Sequence, residues 1–177
     1  MAHDLLIRGA TIVDGSGAPR YRADVGIKDT RIAEIGRIHT SADEIVEADG
    51  LILSHGFIDG HTEMDAQVPW VPLGSCSCWH GVTSVVMGNC GFALAPCQPD
   101  QREWIARCLE AVEDIPTESM IAGINWTWES FPEYLDAVGK LPKAINYGAF
   151  LGHSAIRMYI MGDPALNAPG CETDLQL

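Results

Sequence analysis

Positive charge is scarce in this chain. Lysine and arginine together number 11 against 24 aspartates and glutamates, a formal net charge of −13 over 177 residues. Nucleic acid and anionic membrane surfaces both call for a positive footprint, so neither is expected as a partner. Long apolar runs are also missing, whereas a bilayer-spanning helix needs about 20 consecutive apolar residues. The opening MAHDLLIRGATIVDG lacks a basic segment followed by an apolar one, so no secretory leader is expected, and the default location is cytoplasmic. In that setting the six cysteines are expected as free thiols or metal ligands rather than disulfides. Low-complexity tracts and close internal repeats are absent too.

What is present changes texture near residue 55. Residues 1–54 read as short strands: LLIRGATIVDG closes on the turn signal GSGAPR, and ADVGIKDTRIAEIG holds two strand-like pieces about KDTR. Val25, Ile27, Ile32 and Ile35 are the expected inward face. Residues 55–177 alternate short apolar runs with helical stripes, which predicts βα units on a parallel sheet. DQREWIARCLEAVEDI has capping-box spacing at Asp100 and Glu103, with Trp104, Cys108, Leu109 and Val112 on one side. SFPEYLDAVGKL repeats the device at Ser130 and Glu133 and is expected to bury Phe131, Leu135 and Val138. A third strand is expected at 144–153, AINYGAFLGH.

Chemistry-bearing residues gather where these strands end. In GFIDGHTEMD, His61 and Glu63 are two apart, so an extended chain points both side chains the same way. An imidazole and a carboxylate so placed can share a divalent ion, and zinc accepts both atom types. The spacing suits a solvated pair at a strand end equally well. In VVMGNCGF, Cys90 stands next to Gly91 and two residues after Gly88, and it is a ligand candidate or a buried thiol. In FLGHSAIR, His153 ends the third run as either a structural histidine or a site residue. Arg157 can pair a substrate carboxylate or form a surface ion pair. Cys76 and Cys78 in CSCWHG make a single C-x-C with no partner pair, a poor metal signal. His80 before Gly81 reads as a helix C-terminus.

Taken in order, SHGFIDGHTEMDAQ, SCWHGVTSVVMGNCGFALAP, LEAVEDIP, GINWTWESFPEYLDAV and GHSAIR resemble the N-terminal part of the D-aminoacylase and N-acyl-D-amino-acid deacylase family of the amidohydrolase superfamily. The resemblance runs over nearly the whole chain. It implies an α/β fold: a small β-sandwich part over 1–54 and, over 55–177, the start of a (β/α)8 TIM-like barrel. It also implies zinc-dependent removal of acyl groups from N-acyl-D-amino acids, a small-molecule substrate. By the same resemblance Cys90 matches the cysteine that holds a tightly bound zinc. His61 and Glu63 fall on an H-x-H pair serving a weaker second metal position, and Glu63 departs from that pattern. His153 and Arg157 are the substrate-binding candidates.

A whole barrel takes about 250 residues, yet only about 120 follow the β-module, enough for roughly three βα units. The family's two further zinc histidines and its general-base aspartate are expected downstream, so no catalytic base is assigned here. CETDLQL stops where Thr173 would cap another helix. The chain is therefore expected to be a truncated form of a longer amidohydrolase, inactive by itself. The alternatives are a non-catalytic fragment with weak metal binding, or a parent enzyme that hydrolyses cyclic amides.

Overall fold

In the computed structural model, which describes residues 2–91 and 93–162, local sequence signals decide most element ends. The chain forms two units, one ending at His55 and the other beginning at Gly56. The expected cap at Thr173 lies outside the described residues.

The first unit is a single sheet of β1 (His3–Val13), β2 (Tyr21–Lys28), β3 (Arg31–Gly36), β4 (Ala42–Glu47) and β5 (Ile52–Ser54). Its order is β3-β2-β1-β4, with β5 also on β1. β1 and β2 pair antiparallel, Leu5 opposite Ile27 and Ile7 opposite Val25, and the register slips between Ile7 and Ala10. Gly9, at φ +72°, takes up that bulge, and its amide donates to Asp24 Oδ1 at 2.7 Å. Leu6, Ala10, Ile12 and Val25 form the buried face with Ile38 and Ala48. Ile32 and Ile35 do not join it. They lie on the edge strand β3 and are 65% and 48% exposed, because no neighbouring strand or layer covers that side among the described residues.

The second unit is mixed α/β. Strands β6 (Phe57–Asp59), β7 (Val82–Met87) and β8 (Asn146–Ala149) form a parallel sheet in the order β6-β7-β8. It is open at both edges, with no barrel closure among the described residues. Helices α1 (Ser75–Trp79), α2 (Arg102–Glu113), α3 (Thr117–Gly123), α4 (Phe131–Gly139) and α5 (His153–Met161) fill the connections. α1 ends with His80 as its C-cap before Gly81 at φ +83°.

The capping box of α4 forms as the spacing predicts: Glu133 Oε2 accepts from the Ser130 amide at 2.9 Å and from the Ser130 hydroxyl at 3.0 Å. Ahead of α2 the box forms instead between Gln98 and Gln101, because a 3-10 turn over Pro99–Gln101 starts the helix earlier than Asp100. The buried faces also shift. α2 buries Ile105, Ala106 and Leu109, while Trp104 and Cys108 are only partly covered. α4 buries Tyr134 and Val138 and leaves Leu135 exposed, since positions 134 and 138 share a row on the helix and 135 falls at its margin. Tyr134 packs against Trp128 at a tilt, with ring centroids 5.0 Å apart, and the Trp128 indole N–H donates to the Leu94 carbonyl at 2.9 Å. The core that results joins Val85 and Met87 of β7 to α2, α3 and α4. It packs β7 against these helices, and β7 leads into the Cys90 turn.

Candidate metal centre

β6 ends at Asp59, so His61 and Glu63 stand just beyond the strand rather than within it. The extended alternation survives anyway. Thr62 turns inward, and both its amide and its hydroxyl donate to the Val86 carbonyl, at 3.1 and 2.9 Å. His61 and Glu63 therefore turn to the other side, where His61 Nε2 and Glu63 Oε1 come within 3.2 Å.

Cys90 reaches the same point from β7. It sits in a 3-10 turn over Asn89–Gly91 and adopts φ +54°, ψ +16°. That left-handed conformation costs a side chain roughly 1 kcal/mol or more, so a packed surround must hold it. Gly88 supplies part of that surround at φ +76°. A β-carbon there would lie 2.4 Å from the Phe150 carbonyl oxygen, at the end of β8, so only glycine permits the approach. The Cys90 sulfur comes within 3.4 Å of His61 Nε2. Ligand atoms of His61, Glu63 and Cys90 all lie within 4.8 Å of one another.

Acidic groups crowd this point. The Cys90 thiol is pushed up first by its hydrogen bond to Glu63, then by burial and by the charges of Glu63 and Glu113. Glu113 is pushed up by burial, then by the charge of Glu63 and a hydrogen bond with it. Asp65 is pushed up to about 7, chiefly by burial, against the lowering effect of the Gly88 amide. Sequence reasoning missed both Glu113 and Asp65. A trace of Glu113 was there, since a carboxylate ending α2 opposes the helix dipole.

The residues fit a metal. Nitrogen, oxygen and sulfur are all zinc ligands, and catalytic zinc sites use three protein ligands and keep a position open. His153 is not part of the cluster; it is the exposed first residue of α5, with Arg157 one turn further along the same helix. Cys76 and Cys78 of α1 also stand apart from the cluster, and the five described cysteines are free thiols.

No family model matches the chain. D-aminoacylase of Alcaligenes xylosoxydans xylosoxydans is 37% identical over 161 residues, 90% of this chain and 31% of that protein. The chain is a homologue of the D-aminoacylases. A crystal structure of D-aminoacylase, described as defining a novel subset of amidohydrolases, matches with a TM-score of 0.77 at 32% identity, covering 98% of this chain and 34% of that one. N-acyl-D-glutamate deacylase of Bordetella bronchiseptica, solved with zinc and a phosphonate that mimics the tetrahedral intermediate, matches equally at 0.77. Its identity is 31%, over 99% of this chain and 34% of that one. These homologues are amidohydrolase enzymes, and the chain spans about a third of the length of the D-aminoacylases it matches. None of the described helices is long and apolar enough to cross a membrane.

Proposed function

We propose that this chain supplies the first metal-ligating part of a zinc-dependent amidohydrolase that removes acyl groups from N-acyl-D-amino acids. The observation that carries the proposal is the cluster of three residues, His61, Glu63 and Cys90, at the carboxyl ends of two parallel strands, where barrel enzymes keep their chemistry. The open β6-β7-β8 sheet is read as the first strands of a (β/α)8 barrel, and the sheet of the first unit as part of a β-sandwich.

A divalent ion held there supplies Lewis acidity, polarising an amide carbonyl and activating water. Cys90 would hold the ion as thiolate, so loading would release the proton that Glu63 helps the thiol retain. Glu63 adds a negative charge that an imidazole would not, which favours hard, oxygen-seeking ions alongside zinc. An N-acyl amino acid keeps a free carboxylate, which a chain of net charge −13 otherwise repels. Arg157, with His153 one turn before it, is the proposed partner for that carboxylate.

The test is acyl release from N-acetyl-D-amino acids by the protein that bears this chain, with zinc, compared with the L-enantiomers and with cyclic amides. Preference for the D-acyl substrates is the expected result; faster opening of cyclic amides would overturn it. A second reading, a metal binder without turnover, is favoured for the 177-residue chain alone by its span of about a third of its relatives. It is expected to bind zinc while hydrolysing no faster than zinc in buffer.

A further inference from the structure

The three ligand residues sit on two segments that have no strand or long helix of their own. Residues 60–65 follow β6, and 88–91 follow β7. Something else must keep them together, and the structure supplies a row of inward-facing polar residues interleaved with the ligands. Asp65, 2% exposed, accepts the Gly88 amide at 2.9 Å. The buried Asn89 side chain donates to the Thr62 carbonyl at 3.1 Å and the Val86 carbonyl at 2.8 Å. Thr62 adds its own two bonds to Val86. Along the chain the order is ligand, clamp, ligand at 61–63, with a clamp again at 65. On the facing segment Gly88 and Asn89 are bound immediately before Cys90.

We infer that Asp65 and Asn89 are positioning residues, which lock the His61–Glu63 segment to the Cys90 turn so that the three ligands meet before any metal arrives. The inference rests on the metal-binding reading above. A carboxylate buried beside apolar neighbours is costly, and Asp65 is placed where its Oδ2 is spent on the amide two residues before Cys90. Asn89 spans the gap directly, joining the backbone on both sides of it. Neither side chain belongs to the cluster of ligand atoms. They act through the two backbones, as partners outside the ligand set do in metalloproteins, where their loss weakens binding by about 10–100-fold.

The test uses the 177-residue chain and cobalt(II) alone, read by the thiolate-to-cobalt charge-transfer band. Asp65→Ala and Asn89→Ala are expected to weaken cobalt binding about 10–100-fold and to lower the band at saturation. Asp65→Asn keeps an acceptor for the Gly88 amide and is expected to stay within about threefold of the original chain. A merely structural Asp65 would lower thermal stability while leaving affinity and band unchanged in the folded protein, and that result overturns the inference. If the alanine variants fail to fold, amide hydrogen exchange in the unaltered, metal-free chain decides. Gly88 protected as well as Val85 supports the clamp, and Gly88 exchanging freely overturns it. A missing thiolate band in the unaltered chain overturns the metal reading and this inference together, whereas band present with Asp65→Ala equal overturns this inference alone.

Discussion

In the proposed site, position 63 offers a carboxylate beside one imidazole and one thiol. A hard oxygen donor there in place of a second imidazole would move the preference of the site toward hard cations. Glu63→His is expected to raise zinc affinity relative to manganese(II), measured by calorimetric titration with each ion; an unchanged ratio would mean that the carboxylate contributes nothing selective. A second residue, Asp24, works in the first unit. It accepts from the Gly9 amide at 2.7 Å and the Ile38 amide at 3.0 Å. The Ile38 bond is the first cause holding its carboxyl below the ordinary 3.8. A lowered carboxyl stabilises the fold above that ordinary value and loses the contribution as pH falls through the folded one. Asp24→Ala should cost about 1–3 kcal/mol near neutral pH by leaving two amides unpaired. It should also flatten the acid limb of stability below pH about 4, which denaturant titrations at several pH values would show.

Among the elements, α4 shows how a short helix is made to form and to bind. Its nine residues are too few for stability in isolation. The Ser130 side chain takes a first-turn amide, Glu133 accepts the Glu129 and Ser130 amides just ahead of the helix, and Tyr134 with Val138 anchors the helix on Trp128 and the β7 layer. Ser130→Ala is expected to cost about 1 kcal/mol, while Tyr134→Ala, which empties a fully buried ring site, should cost about 3–5 kcal/mol. Tyr134→Phe is the sharper test. Among the described residues the Tyr134 hydroxyl has no hydrogen-bond partner, so its removal should change stability by less than about 1 kcal/mol. A larger loss in thermal or denaturant unfolding would reveal a partner for that hydroxyl.

At the scale of the whole molecule, the parallel sheet is the weak point. Parallel strands are normally covered on both faces and seldom end a sheet in the open. Here β6 and β8 each leave an edge unpaired among the described residues, and Phe57, Ile58 and Phe150 are 63%, 71% and 55% exposed. Open apolar edges recruit other chains, and apolar patches beyond a few hundred Å² are seldom left bare on monomers. The 177-residue chain on its own is expected to self-associate and to bind dyes that report exposed apolar surface, as light scattering and fluorescence would record. A sharp monomer with a cooperative thermal transition would show instead that the open sheet is stable by itself.

Much of this was settled by local chemistry. The α4 cap, the C-terminus of α1 at His80, the existence of β7 and the side shared by His61 and Glu63 all depend on spacings of two to four residues, which the chain's own geometry dictates. Other features depend on contacts between segments far apart in sequence. Ile32 and Ile35 are exposed because sheet order put β3 at an edge, which no pattern within β3 encodes. The approach of Cys90 to His61 across 29 residues requires the β6–β7 register and the clamp of Asp65 and Asn89. Glu113 comes to Glu63 only because α2 packs on that layer. Periodicity specifies which residues face together within one element, but the distance between ligands on different elements is set by how the elements pack, and that belongs to the tertiary structure.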